Sequence, residues 1–305
     1  MAKPINPAHP IARYLHSLEY EIRGAKKNIW PDHTFSVPGI AQTAAREAAI
    51  LAKIKPPAQG LDQALHRSWE TIDTRRSLAC AFERERYRIA GLGYLLRVLC
   101  SETNYDPGRP DSGWYFVTRV APRQTVPPER TGEISIAKVM RPVIAGLRLL
   151  KRQFPQLIAV AVFELSFGRS LDGTVLAEPH VHILVWGASE DSIESALRVL
   201  GPKPKNMSSL VVLPVTDDLD ARLSYILKMT GELRVRYVDK GKKRRGDNKL
   251  PPELQALWLT YFAAVPVRNV ITLMGLKPDV VKQFHYGDLH MLVGELLRNG
   301  VGRRS

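Results

Sequence analysis

The stretch that most constrains this chain is Ala177-Glu178-Pro179-His180-Val181-His182-Ile183-Leu184-Val185-Trp186. Its apolar run is short and rich in β-branched residues, so it forms a strand rather than a helix. Side chains alternate along a strand, which sends His180 and His182 to one face and Val181 and Ile183 to the other. Two imidazoles then stand side by side. They are placed either to share one metal ion or to hydrogen-bond within a core.

The elements on either side set the frame. Trp114 to Val120 has strand composition, a loop containing Pro127-Pro128 follows, and Ile136 to Phe154 is predicted to be helical despite Pro142. Leu157 to Phe167 is a second strand, joined to the histidine strand by the turn-rich Gly168-Arg169-Ser170-Leu171-Asp172-Gly173. Ser189 caps a helix to Leu200 with Glu190 and Asp191 in its first turn. Leu210 to Val215 is a fourth strand, and Asp217 to about Thr230 a further helix. The order βαββαβ predicts an α+β fold: a ferredoxin-like split βαβ antiparallel sheet in two layers, with its helices on one face. Along the last helix Leu219, Leu223, Ile226 and Leu227 recur at the spacing that turns them to the sheet. Arg222, Tyr225 and Lys228 recur three apart on a neighbouring stripe.

Upstream, Met1 to Pro38 is an irregular, proline-punctuated arm. Helices are predicted from Ile40 to about Lys53 and from about Leu61 to Ala90, and the apolar continuation Leu92 to Cys100 must pack on something. Turn and loop residues crowd between Tyr105 and Gly113. The chain therefore divides into a helical N-terminal extension (1–111), a central domain (112–232) and a basic segment with a C-terminal extension (233–305). In the last part, Pro251 to Ala264 is an apolar helix and Val267 to Leu276 an edge strand. His285 and His290 read as ordinary helix or loop residues.

Charge narrows the class of partner. Of 305 residues, 44 are Lys or Arg and 30 Asp or Glu, a formal charge of +14. Such a balance points to a polyanion, and nucleic acid leads because no apolar run is long enough to cross a bilayer. No membrane partner is expected. Cys80 and Cys100 are too few for a disulfide scaffold, and the N-terminus lacks the apolar core of a signal peptide, so cytoplasmic residence is expected. After Gly231 comes a basic run with Arg234, Arg236, Lys240, Lys242, Lys243, Arg244, Arg245 and Lys249. It reads as a solvated loop or as a phosphate contact that adds affinity without reading sequence.

A histidine pair flanking an apolar residue on a central strand, Tyr225-Ile226-Leu227-Lys228 on a later helix and a βαββαβ frame together resemble the HUH endonuclease superfamily. Within it, the likeness is to single-tyrosine rolling-circle replication initiators, since position 229 holds Met229 rather than a second tyrosine. Phe163-Glu164-Leu165 followed by a loop and Glu178-Pro179-His180-Val181-His182 resembles the family's acid-then-histidine hairpin. Tyr115 to Pro122 is a loose match to its first motif. The resemblance spans roughly Trp114 to Gly231.

What the resemblance implies is specific. His180, His182 and Glu164 would bind Mg²⁺ or Mn²⁺, and Tyr225 would attack a scissile phosphate to leave a 5′-phosphotyrosine and a free 3′-hydroxyl. Lys228 would favour the phenolate or brace the phosphate; the sequence leaves both roles open. Arg119, Arg222, Lys242, Lys243, Arg244 and Arg245 are the candidate DNA contacts. The third metal ligand also stays open. Pairing around a two-residue Asp172-Gly173 turn would put Glu164 opposite Val181, on the wrong face, whereas an odd-numbered loop or a bulge near Pro179 would bring it level with a histidine. Glu178 keeps step with both histidines if the strand already exists there. The implied function is nicking and rejoining of one strand at the origin of a rolling-circle plasmid or phage, acting on single-stranded and duplex origin DNA. A host helicase would be a partner, since the chain has no Gly-x-x-x-x-Gly-Lys-Ser/Thr phosphate loop. Whether it forms a homo-oligomer leaves no mark in the sequence. A relaxase or a transposase would use the same chemistry. A non-cutting replication repressor and a small-molecule metal hydrolase are the alternatives outside it.

Overall fold

A computed structural model of the chain describes residues 91, 94–96, 98, 99, 101–103, 113–198, 209–216, 219–228, 230–239, 242–263, 265 and 269–286. The expected arm, the two helices up to Ala90, the loop from Tyr105 to Ser112, His290 and the C-terminal tail lie outside the described residues.

From Trp114 the elements alternate as the patterning predicts: β1 (Trp114–Val120), α1 (Ile136–Gln153), β2 (Ile158–Arg169), β3 (Val175–Trp186), α2 (Glu190–Leu197), β4 (Leu210–Pro214) and α3 (Leu219–Ile226). Then come β5 (Glu232–Asp239), β6 (Lys242–Lys249), α4 (Pro252–Ala263), β7 (Ile271–Met274) and α5 (Pro278–Tyr286). The strands form one seven-stranded mixed sheet in the order β4-β1-β3-β2-β5-β6, with β7 also paired to β2. β3 lies between β1 and β2 and runs antiparallel to both.

Two expectations about this sheet need correction. It is not wholly antiparallel, because β5 pairs parallel with the end of β2 at Phe167, Gly168 and Arg169. A parallel neighbour requires a crossover, and α3 supplies it by carrying the chain from β4 at one edge to the far side of β2. Nor do the helices share one face. Arg119 pairs across the ladder with Val181, so it points away from the histidines, and its Nε–H donates to the Leu197 carbonyl at the end of α2. α1 lies against α2 on that side, so close that a Cβ on Gly146 would stand 2.5 Å from the Ala196 carbonyl oxygen. α3 covers the opposite, histidine face. The reason is in β2: every residue from Ile158 to Gly168 is buried, and a strand apolar on both sides must be covered on both.

The basic run is not a loop. Glu232–Asp239 and Lys242–Lys249 form an antiparallel hairpin, with Leu233 facing Asn248 and Arg236 facing Arg245. β7 returns to β2 as the expected edge strand, shorter than the stretch read as strand. Between β7 and β5 the outer edge of β2 is left without a strand, and other groups fill it: Phe163 N–H donates to the Val270 carbonyl, and the Trp258 indole N–H of α4 donates to the Leu165 carbonyl. The apolar continuation does find a partner. Leu95 and Leu99 are fully buried in the same core as the sheet, and Gly91 abuts the Phe284 ring of α5. Among the described residues no helix is long and apolar enough to cross a membrane.

Candidate metal centre

Register decides the site, and the hairpin loop decides the register. β2 and β3 are joined by the odd-numbered loop between Arg169 and Val175, not by a two-residue turn. Asp172 organises it: its Oδ1 accepts from the Thr174 N–H at 3.0 Å and from the Ser170 hydroxyl. Ser170 N–H closes the loop on the Thr174 carbonyl, and Gly173 takes φ +86, a backbone conformation that glycine adopts without steric cost. Glu164 therefore stands directly opposite His180, on the histidine face. A one-residue slip would have turned it to the other side.

The three ligand candidates meet. One atom from each of Glu164, His180 and His182 lies within 4.8 Å of the others, and all three residues are buried. The two Nε2 atoms are 3.1 Å apart, and Glu164 reaches His182 Nε2 with Oε2 at 3.1 Å and His180 Nε2 with Oε1 at 3.4 Å. Each imidazole is aimed by its other nitrogen. His180 Nδ1–H donates to the Glu178 carbonyl at 3.1 Å, and His182 Nδ1 pairs with the Thr118 hydroxyl at 3.0 Å. The carbonyl bond fixes the His180 tautomer and leaves its Nε2 as the lone-pair donor, as a metal ligand needs, while the Thr118 hydroxyl orients the His182 ring. Phe116 stacks on His182 with ring centres 5.3 Å apart. Two imidazoles and one carboxylate suit a divalent ion and leave open positions on it.

Glu178 is not the third ligand. It keeps the histidine phase, but its side chain is engaged by Arg236 at 3.1 Å, in space left by Gly168, where a Cβ would stand 2.4 Å from its carboxylate. Its Oε2 is buried with no hydrogen-bond partner among the described residues.

Tyr225 stands beside the cluster. Its ring meets the edge of His182 at 5.2 Å and of Phe116 at 5.8 Å. α3 ends at Ile226, four residues before the expected Thr230, so Lys228 lies just past the helix rather than on it. Its ammonium nonetheless sits 4.2 Å over the Tyr225 ring, 2.5 Å from Glu232 Oε1 and 4.0 Å from Glu164 Oε1. Burial works against that charge, but Glu164 and Glu232 outweigh it and hold the Lys228 pKa above its ordinary value. Lys228 is a stable cation, suited to facing an anion rather than to taking a proton.

The DNA-contact candidates scatter. Arg222 lies 5.6 Å over the Phe116 ring, on the Tyr225 side of the sheet. Arg119 is a correction: it is buried on the far face and ties α2 to the sheet, so it is not presented to a polyanion. Burial pushes its pKa down. Lys242, Lys243, Arg244 and Arg245 run along β6; their side chains lie outside the described residues.

The residue that sequence reading misplaced is Arg234. It was one charge in a basic run; on β5 it is buried, and its Nη2 reaches into the ligand set, 2.8 Å from His180 Nε2 and 3.2 Å from Glu164 Oε1. The alternation of Leu233 and Val235 with Arg234 and Arg236 is the strand signal that would have found it. Burial, reinforced by this guanidinium, pushes the His180 pKa down to about 4, so the ring is neutral at pH 7. Burial alone would raise the Glu164 pKa, yet the two histidines beside it hold it well below the usual carboxylate range. No family model, no curated protein and no solved structure matches the chain.

Proposed function

We propose that the chain is a metal-dependent DNA strand transferase of the HUH type, nicking and rejoining one strand of origin DNA through Tyr225. The observation that carries the reading is the meeting, at one buried point, of Glu164, His180 and His182 with the Tyr225 ring and the Lys228 ammonium. The order β4-β1-β3-β2, with β3 inserted between two parallel strands, is that of a split βαβ frame and supports the same reading.

When bound, Mg²⁺ or Mn²⁺ would polarise the phosphorus and carry charge that develops on the phosphate oxygens. This chain's residues do the rest. His180 presents a neutral Nε2 lone pair, His182 the Nε2 of a second imidazole, and Glu164 a carboxylate oxygen. Tyr225 supplies the nucleophile: its phenolic oxygen bonds to phosphorus, the bond to the 3′-oxygen breaks, and the proton lost by the phenol is balanced by one taken up at the leaving 3′-oxygen. The products are a 5′-phosphotyrosine and a 3′-hydroxyl. One phosphodiester replaces another, so the step runs backwards to rejoin strands. Lys228 keeps its positive charge beside the ring and offsets negative charge gathering on the phosphoryl oxygens.

The test is incubation with single-stranded oligonucleotides and Mn²⁺. A covalent protein–DNA adduct is expected, lost in Tyr225→Phe and, without loss of duplex binding, in His180→Ala and His182→Ala. Nicking retained in both histidine variants would remove the ion from the reaction. A non-cutting DNA-binding protein is the second reading, and one observation favours it: a protein cation, Arg234, already occupies the ligand set. Tight duplex binding with no adduct on any origin-containing DNA would establish that alternative.

A further inference from the structure

The Arg234 contacts conflict with ion binding. The His180 Nε2 lone pair takes an N–H from Arg234 at 2.8 Å, while Nδ1–H of the same ring is committed to the Glu178 carbonyl. One lone pair cannot accept that hydrogen bond and coordinate a metal ion together. Glu164 Oε1 is shared in the same way, 3.2 Å from the guanidinium. Arg234 is buried and its Nε has no acceptor among the described residues, so the side chain is held at the ligand set by a carboxylate and an imidazole while part of its hydrogen-bonding capacity goes unmet there. A guanidinium satisfied in only some of its donors is poorly anchored for a structural element and well suited to exchange partners.

Charge points the same way. Around the cluster, the carboxylates of Glu164 and Glu232 are matched by the cations of Lys228 and Arg234. A divalent ion entering this buried, already neutral group adds two uncompensated positive charges, unless a cation withdraws or an anion arrives. Lys228 is held by Glu232 at 2.5 Å and contacts no imidazole nitrogen. Arg234 is therefore the cation that must leave.

We propose that Arg234 is a built-in competitor of the metal ion: a tethered cation that closes the Glu164–His180–His182 site and is expelled from it when the ion binds. This deepens the reading of the cluster as an ion site and rests on it. The expelled guanidinium, lying beside the ion with its Nε and Nη donors free, matches the two non-bridging oxygens of a phosphodiester, which bidentate arginine recognises. Ion uptake then prepares the substrate contact. Affinity for the ion is set by the strength of the arginine contacts it must break.

The test is Mn²⁺ affinity of the full chain after removal of metal with EDTA, read from the electron paramagnetic resonance signal of free Mn²⁺ and without any nuclease assay. Arg234→Met frees both ligands, and its Mn²⁺ dissociation constant is expected to fall by about tenfold or more, the equivalent of one charge-assisted hydrogen bond to a buried group. Arg234→Lys keeps a charge to match Glu164 but is too short to reach His180, and is expected to fall between Arg234→Met and the wild type. It also serves if Arg234→Met does not fold, which circular dichroism will report. Wild-type binding with no tightening in whichever of these variants folds would overturn the competitor while leaving the ion site standing. A protein in which neither the wild type nor a folded variant takes up Mn²⁺ would overturn the ion site and the competitor together. Uptake only by the arginine variants would support the competitor in its strongest form.

Discussion

Replacing Glu164 by Gln changes one charge in a site where every neighbour responds to it. The residue is 7% exposed, and its oxygens lie 3.1 Å from His182 Nε2, 3.2 Å from Arg234 Nη2 and 4.0 Å from Lys228 Nζ. Without metal, the amide oxygen still accepts one hydrogen bond, but the buried guanidinium loses its counter-ion. Removing one partner of a buried ion pair costs about 3–5 kcal/mol, and the retained hydrogen bond places this case near the lower end, about 3 kcal/mol. With metal the effects compound. An ion at a hundred times its dissociation constant stabilises the wild type by about 2.7 kcal/mol; a variant binding a hundredfold more weakly keeps only about 0.4 kcal/mol at the same concentration. Urea unfolding followed by tryptophan fluorescence, in EDTA and in Mn²⁺, separates the two quantities. We expect the gap between wild type and Glu164→Gln to widen from about 3 to about 5 kcal/mol when Mn²⁺ is added. Equal stabilities in EDTA would refute the buried charge network, and an equal Mn²⁺ increment would refute Glu164 as a ligand.

Other positions test the frame around the site. Gly275 has φ +82, and a Cβ there would stand 1.9 Å from the Leu157 carbonyl oxygen, so Gly275→Ala should cost about 3 kcal/mol or more in urea unfolding. Arg119→Met removes a buried cation on the far face; DNA affinity and its salt dependence should stay within error of the wild type, and a reduced salt slope would return Arg119 to the interface. The depressed His180 pKa also has a sign. Above pH 6.5 the ring is neutral folded or unfolded and its full contribution is present; as pH falls from 6.5 towards 4 the unfolded chain takes the proton first, and up to about 3 kcal/mol is lost. Metal-free His180→Phe should lose less stability over that window, as measured by urea midpoints at successive pH values.

Most of the frame was legible because β1 to α3 obey local rules. β-branched residues mark the strands, and Leu219, Leu223, Ile226 and Leu227, all buried, mark one face of α3. What escaped depended on geometry that local rules do not carry. The Ser170–Thr174 loop was obscured because Asp172-Gly173 invites a two-residue turn; the Asp172 side chain, bonding back to Thr174, lengthens it and sets the register. Ser189 takes the first-cap position of α2, but its hydroxyl pairs with Ser192 Oγ instead of a backbone N–H. The β5–β6 hairpin was hidden beneath its charge. Leu233 and Val235 alternate at strand period, yet the density of Arg and Lys reads as solvent until pairing with β2 buries Arg234.

Rigidity is distributed across the site in a way that follows from these origins. Both histidines and Glu164 stand on β3 and β2, which pair with each other from end to end, so their mutual geometry is set by that ladder and by the bonds that aim each imidazole. The cations have looser supports. Lys228 lies past the end of α3, and Arg234 on β5, which pairs along its length with β6 but joins the ligand-bearing β2 over only Phe167, Gly168 and Arg169. An ion-binding site needs fixed ligands, while a charge that must make way for an ion needs freedom to move. The same division makes substitutions at Arg234 readable in ion affinity, because a side chain reaching in from outside the central β2–β3 hairpin can be shortened without shifting the strands that hold the ligands.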